Sequence, residues 1–435
     1  MEFSKETQAN SFYVILSGLL RFDEFKIDEK GLWNDFTIWR NRINKGDYKF
    51  TFNYLNHSYY DGYLNNIFPE IRYSEEKLGV FHKDILNHLT SKKYLLDKKS
   101  ILIDLGNDNS IESKIDHIDL YLFPHDICIF SIKLYIDNPD YLTLGYISDF
   151  INKIRNLSSQ IYFDNSTLSL QEFIEKEVIY NLNPDKDWTI FNPQLKSYII
   201  IDLKEKLAED ELDYLLYDIG NISILGSAKG EGVFAPAKPY FDEQIEKNKI
   251  SIFKNWSALA LYDTFTRISL NFPDNFKSWD YDYFNLYIHC LYLKYFMYLT
   301  NTELSEVTVV TKKTEKIRDE FIEFINDYYH SHISYKFLPD LMQDKLMYSL
   351  EISSEIDRME TKIQRINEHF QEKREKTFNI ALITITLLSV VSVIYSLSEW
   401  IVNLGCPRNW MYPFTSEIIA LSIIGVIYYI FSKRK

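Results

Sequence analysis

Near the C-terminus the chain reads Lys376-TFNIALITITLLSVVSVIYSLS-Glu399, in which the 22 residues Thr377–Ser398 carry no charge. At about 1.5 Å per residue, a helix of that length reaches roughly 33 Å, enough for a hydrocarbon core of about 30 Å. A second run, Ile418–Ser432, has 15 uncharged residues. It attains spanning length if its helix begins at Pro413, a residue favoured in a first turn, with Glu417 near the interface. Trp400, Trp410 and Tyr412 supply interfacial aromatics between the runs; Lys373, Arg374 and Lys376 precede the first, and Lys433, Arg434 and Lys435 follow the second. The pattern predicts a two-pass hairpin in the cytoplasmic (inner) membrane, with a short external loop and both termini in the cytoplasm.

Upstream, Leu341–Leu404 contains neither Gly nor Pro, so a continuous helix from Leu341 to Ser398 is expected, about 87 Å long. Ile352 and Ile356 open a seam that continues through Met359, Ile363, Ile366 and Phe370 at spacings of 3 and 4. Such a rod must cover its seam with copies of itself or with an adjacent helical hairpin, which points to a homo-oligomer. On the first span, Asn379, Leu382, Thr386, Ser389, Val393 and Ser396 keep the same spacing and share one face. In a symmetric ring that face would line a pore, with hydroxyl layers between apolar collars that close by dewetting. The alternative is that the hydroxyls bond back to their own helix or permit close helix packing, as expected for Thr384 and Ser392 on another face.

The remainder reads as α/β. Strands are expected at Phe12–Leu20, Ser100–Leu105, Ile115–Phe123, Ile127–Ile136, Ser197–Asp202 and Ile222–Leu225, with a hairpin across Pro124–Asp126. Helices are expected near Tyr141–Asn156, Leu170–Asn181, Glu209–Asp218 and Asp242–Lys249. Two further helices, Tyr281–Leu299 and Glu303–Tyr329, lead to the rod. The organisation is therefore a cytoplasmic α/β domain over 1–275, a helical region and stalk over 276–376, and the membrane hairpin over 377–435, with Asn271–Asp280 as the seam between subdomains.

Composition narrows the function. Lys and Arg number 48 against 62 Asp and Glu, a net charge of −14 that excludes a general nucleic-acid binder. The last 59 residues carry four basic and two acidic groups, a net +2, which leaves −16 for residues 1–376. Acid of that density below a pore would concentrate cations; alternatively it only keeps the protein in solution, and the charge alone does not choose between the two. The three cysteines, Cys128, Cys290 and Cys406, are too few and too scattered for a disulfide framework or a CxxC zinc site.

Gly226, Gly230 and Gly232, with Lys229 among them, form a glycine-rich loop in a chain of only 13 glycines. Its amides and Lys229 are candidates to cradle a phosphate, although neither a P-loop nor a Rossmann turn is present. His330 and His332 near Asp327 lack a third metal ligand, and no metal site is assigned. Glu372 and Glu375 would form acidic rings below the membrane in an oligomer. No nucleophile–base pair stands out, so catalysis is not indicated.

An acidic α/β domain, a stalk helix entering the first span, a short external loop and a basic C-terminal end resemble the CorA superfamily of cation channels, above all over the last hundred residues. In that family a Tyr-Gly-Met-Asn sequence ends the first span; here the place reads Tyr395-Ser396-Leu397-Ser398, and the loop, with Glu399, Arg408 and Glu417, is near neutral. The chain is similar to the divergent CorA-like proteins associated with type III CRISPR systems. That resemblance implies a pentameric antiviral ion channel, gated through its cytoplasmic domain by a nucleotide second messenger, a cyclic oligoadenylate or an S-adenosylmethionine–AMP conjugate. A magnesium transporter, with Mg2+ as its ion, is the first alternative, and a membrane-anchored sensor without a pore the second. Ser398, where the family has an Asn carbonyl, is a shorter and poorer acceptor, which predicts weak discrimination between magnesium and other cations.

Overall fold

The computed structural model describes residues 2–22, 33–34, 57–67, 87–106, 109–180, 188–230, 232–272, 278–305 and 312–403. The second apolar run, the loop before it with Cys406 and Trp410, and Pro273 lie outside these residues. The chain divides into two compact units, Met1–Glu306 with Lys316–Met359, and Val307–Glu315 with Glu360–Lys435.

The first unit is built on a mixed sheet of 12 strands among the described residues. These are β1 (Ala9–Phe22), β2 (Trp33–Asn34), β3 (Asn87–Ser91), β4 (Ser100–Gly106), β5 (Asn109–Phe123), β6 (Ile127–Tyr135), β7 (Gln160–Phe163), β8 (Ser166–Ser169), β9 (Trp188–Leu203), β10 (Lys249–Phe253), β11 (Trp256–Ala260) and β12 (Thr264–Leu270). The order is β10-β11-β12-β9-β1-β6-β5-β4-β7-β8, with β3 paired to β5 and β2 to β3. β5 and β6 form the expected hairpin, whose turn sets His125 and Asp126 at φ of 63° and 56°. β12 runs parallel to β9, and parallel neighbours need a crossover.

The helices are α1 (Asp61–Asn66), α2 (Lys92–Asp97), α3 (Leu144–Ile154), α4 (Leu170–Ile174), α5 (Glu209–Gly220), α6 (Lys238–Asn248), α7 (Ser278–Ser305), α8 (Lys312–Tyr328), α9 (Phe337–Ser349) and α10 (Ile352–Asn403). Strand side chains alternate in direction, so the register sorts them into two faces. One face carries Val14, Leu16, Phe130, Ile132, Ile199 and Ile268 in an aliphatic core. α3 and α5 cover it, with Phe150 edge-on to Phe12 at 5.8 Å and Leu215, Leu216 and Ile219 in the same core. The other face carries Tyr13, Ser17, Ser131, Lys133, Tyr198 and Arg267, all buried or nearly so. α7 covers that face. Its Phe284 meets Tyr121 and Tyr198, its Tyr292 stacks on Phe123 at 4.2 Å, and its Trp279 carbonyl accepts from the Tyr198 hydroxyl at 3.0 Å. α7 is buried on every side, as a helix apolar and aromatic all round must be.

Two expectations fail locally. The predicted strand Ile222–Leu225 is a turn after α5, with Ile222 at a φ of 55°. The rod expected from Leu341 breaks between α9 and α10, where Glu351 adopts a φ of 58°. Leu346, Leu350 and Ile352, each at most 1% exposed, hold that corner, and their burial outweighs helix propensity. α10 alone spans 52 residues, about 78 Å. Its Ile352, Ile356, Met359 and Ile363 are at most 5% exposed, so the chain itself covers the first half of the heptad seam.

β1 tolerates no side chain at position 18. A Cβ on Gly18 would sit 2.6 Å from the Phe130 ring and 2.8 Å from Leu195 Cδ2. Gly18→Ala should destabilise the sheet unit by about 1–3 kcal/mol, read as a lower denaturant midpoint at unchanged slope.

Candidate functional site

The polar sheet face opens at one end into a cavity of about 490 Å³. β12, β6 and β1 send Arg267, Lys133 and Tyr13 into its wall, and the first turn of α7 adds Trp279 and Asp280. The volume lies within the range of small-molecule sites, about 300–1,000 Å³. Lys133 Nζ lies 2.9 Å from Asp280, 3.5 Å from Asp116 and 4.3 Å from the Tyr13 ring centre. Burial by itself would lower its pKa; Asp280 and Asp116 more than offset this and hold the ammonium above its ordinary value. Asp202 is satisfied by Ser269 Oγ at 2.7 Å, the Phe272 amide at 2.9 Å and Asn10 Nδ2 at 2.9 Å.

Arg267 is different. Its guanidinium, 3% exposed, stacks over the rings of Phe272 at 4.1 Å and Trp279 at 4.9 Å. It donates to Ser269 Oγ at 2.6 Å, which in turn donates to Asp202 at 2.7 Å, while Nε has no partner and, among the described residues, no carboxylate oxygen lies within ion-pair distance; Asp202 and Asp280 act on it from farther off. Burial pulls its pKa below the ordinary value. Every other charge described on this wall has a counter-charge or a full set of donors.

The glycine-rich loop is arranged around the protein's own carboxylates. Gly226 and Gly230 adopt φ of 93° and 92°, and Gly232 86°. The amides of Gly226 and Ala228 donate to Asp218 at 2.7 and 2.9 Å, and Ser223 Oγ adds a third bond at 3.1 Å. Burial pushes the Asp218 carboxyl up to about 6 in spite of these donors. Lys229 Nζ pairs with Glu211 at 2.5 Å and lies 4.1 Å from the Phe3 ring centre. The amides that converge here are those of Gly226 and Ala228, and they converge on Asp218.

Along α10, Phe378, Ile380, Leu382, Ile385, Leu388, Val393 and Tyr395 are 46–66% exposed and point in all directions around the axis. Among the described residues this is the one helix long and apolar enough to cross a membrane. Thr386, Ser389 and Ser396 donate to the carbonyls of Leu382, Ile385 and Ser392 at 2.8–2.9 Å, and Ser398 to Tyr395 at 2.7 Å. Asn379 is exposed beside them, and Thr384 back-bonds to Ile380 as expected. With its proton committed to the helix, each hydroxyl presents only acceptor lone pairs outward. His332 pairs with Asp340 at 3.4 Å, and His330 packs near Tyr63; among the described residues no three His, Cys, Asp or Glu side chains are placed to hold a metal.

No family model matches the chain, and no curated protein is significantly similar to it.

Sequence reasoning missed Arg267, Lys133 and Trp279. They come from distant segments that the order β12-β9-β1-β6 brings together. The one local signal is Phe265-x-Arg267-x-Ser269, a charge on the same strand face as a buried aromatic.

α7 also carries a buried polar seam. Asp282, 5% exposed, accepts a short hydrogen bond from Tyr59; one turn on, both amide atoms of Asn285 lack partners, as does His289 Nδ1. Burial lifts the Asp282 carboxyl to about 7, above its ordinary range, and drops the His289 imidazole to about 3. The folded protein therefore binds a proton at Asp282 that the unfolded chain releases at lower pH. The stability this confers is present in acid and is lost as pH rises through about 7. Asp282→Asn should raise the melting midpoint at pH 8 by roughly 2–8 °C, by about half as much at pH 5.5, and least near pH 4, because the stability is lost across the window from about 4 to 7. Equal shifts at all three pH values in thermal melts would contradict a protonated Asp282.

Proposed function

We propose that the chain is a CorA-like, homo-oligomeric cation channel of the cytoplasmic membrane, gated through its sheet unit by a small nucleotide ligand, as in a type III CRISPR antiviral effector. The observation that carries this is the outer half of α10, apolar on every side yet bearing a stripe of hydroxyl acceptors. A soluble monomer does not leave such a surface in water, so lipid must cover it. An anchor needs no stripe, whereas a ring of outward lone pairs at Thr386, Ser389 and Ser396, between collars of Leu382 and Val393, suits the passage of cations. The hairpin's return span, the two-pass topology and the pentamer belong to the same proposal.

Gating needs a mechanical link from the sheet unit to the start of α10. Lys294 of α7, 5% exposed, pairs with Glu355 in the first turn of α10 at 2.6 Å. The same α7 places Trp279 and Asp280 at the cavity, about 21 Å away along the helix at 1.5 Å per residue. A change at the cavity that shifts α7 then reaches α10 through a nearly rigid lever.

The back-bonded hydroxyls also favour a second reading, a membrane-anchored sensor, because back-bonding satisfies Ser and Thr in lipid without a pore. Currents decide between them. In planar bilayers the protein should conduct with little preference for magnesium over potassium in bi-ionic reversal potentials. Leu382→Ser with Val393→Ser should raise the unstimulated current by wetting the collars. Bilayers that stay sealed for both proteins would assign α10 to anchoring, and strong magnesium selectivity would restore the transporter. Lys294→Met should leave conductance intact and weaken its dependence on ligand.

A further inference from the structure

We infer that the cavity beneath the first turn of α7 is the ligand site of the sheet unit, and that it takes a single phosphate monoester on a planar ring, with Arg267 receiving the phosphate. Arg267 is desolvated and reaches the Asp202 carboxylate only across Ser269, and a guanidinium without a direct ion pair is costly to keep buried. Proteins hold such a group buried where a ligand supplies the missing anion. Arg267 has the geometry for it. Its plane is fixed by Phe272 and Trp279, its NH2 group is anchored on Ser269, and Nε is left with an unused proton. A guanidinium fixed in plane pairs with phosphate oxygens through parallel N–H bonds, which an ammonium does not reproduce.

The rest of the wall sets the class of ligand. Tyr13, Tyr135, Phe272 and Trp279 line the cavity and offer flat apolar surface for a ring. The carboxylates of Asp116, Asp137, Asp202 and Asp280 line it as well, against only two cations, Lys133 and Arg267. That excess of acid disfavours a chain of phosphates, and it leaves Arg267 as the one place on the wall for a single phosphate. The glycine-rich loop, by contrast, has its amides on Asp218 and its lysine on Glu211. An anion arriving there would first have to displace a carboxylate.

The inference rests on the proposed function only for what the ligand does after it binds. Its test is therefore binding, read without a membrane current, so a sealed bilayer and a failed titration are separate results. Full-length protein in detergent is melted with AMP, adenosine and ATP. AMP should raise the melting midpoint in a saturable way, adenosine should do so far less, and ATP should fall below AMP. Arg267→Met should weaken AMP binding roughly 10–100-fold while its ligand-free midpoint stays at or above that of the parent. Arg267→Lys, which keeps the charge and loses the planar fork, should recover only part of the affinity. A ligand-free midpoint that collapses in Arg267→Met and is fully restored in Arg267→Lys, with AMP affinity at the parental level, assigns the guanidinium to the fold and overturns the inference. So does equal AMP binding in parent and Arg267→Met, loss of binding in Lys229→Ala alone, or no shift of the parent with AMP.

Discussion

The architecture turns on how a sheet with one polar face is buried. Strands β1, β6, β9 and β12 give an aliphatic surface to α3 and α5, and a surface bearing Lys133, Lys196, Tyr198 and Arg267 to α7. An ordinary amphipathic helix would leave those charges unpaired in a low dielectric, at several kcal/mol each. α7 answers with Asp280 for Lys133 and with Trp279, Phe284, Tyr287 and Tyr292, whose rings bury large areas and tolerate a cation on the face. The abundance of Tyr and Phe in this chain, 33 and 30, has much of its use here. Arg267 alone of these has no carboxylate within ion-pair distance among the described residues, reaching Asp202 only across Ser269, and it faces the cavity.

Protein cover separates the two long apolar helices, α7 and α10. α7 is covered on every side by protein, whereas the outer part of α10 has comparable apolar content and no protein cover among the described residues. The difference is legible in sequence. α7 interrupts its aromatics with Asp282, Asn285, His289 and Lys294, of which Asp282, His289 and Lys294 bond Tyr59, the Tyr328 carbonyl and Glu355, whereas Thr377–Ser398 carries no charge at all. Lipid offers no hydrogen bonds, so only a segment that satisfies itself can lie in it, and back-bonded Ser and Thr do so.

What could be read from sequence was what local rules govern. The amphipathic period of Leu144–Ile154, the alternation through β5 and β6, the hairpin at Pro124–Asp126 and the long apolar run each follow from neighbouring residues alone. Expectations failed where distant contacts outvoted them. Ile222–Leu225 has the composition of a strand but turns because Asp218 draws the amides of Gly226 and Ala228 toward it. The rod breaks at Glu351 because Leu346, Leu350 and Ile352 are worth more in the core than in an unbroken helix. β10–β12 went unread, and with them the cavity, since Arg267 gains meaning only beside Lys133 across three strand pairings.

The same geography constrains any coupling between ligand and membrane. A ligand shifts an equilibrium only by the difference in its affinity for the two arrangements; equal affinity moves nothing, however tight the binding. A pocket inside the aliphatic core could not supply that difference, because close-packed aliphatic side chains have one good arrangement. The cavity sits instead where α7 meets the sheet through paired charges and stacked rings, contacts that can exchange one partner for another. A phosphate on Arg267 would place new negative charge near Asp280, which Lys133 now holds. The energy of that conflict falls on the first turn of α7, whose Lys294 holds the opening turn of α10. α7 is buried over most of its length, Tyr298 and the last turn excepted, and has no Gly or Pro at which to bend, so strain at its first turn would be carried as far as Lys294. Under the proposed gating the acidic wall and Arg267 would have complementary parts: the guanidinium would attract the phosphate, and the acid would make its arrival consequential.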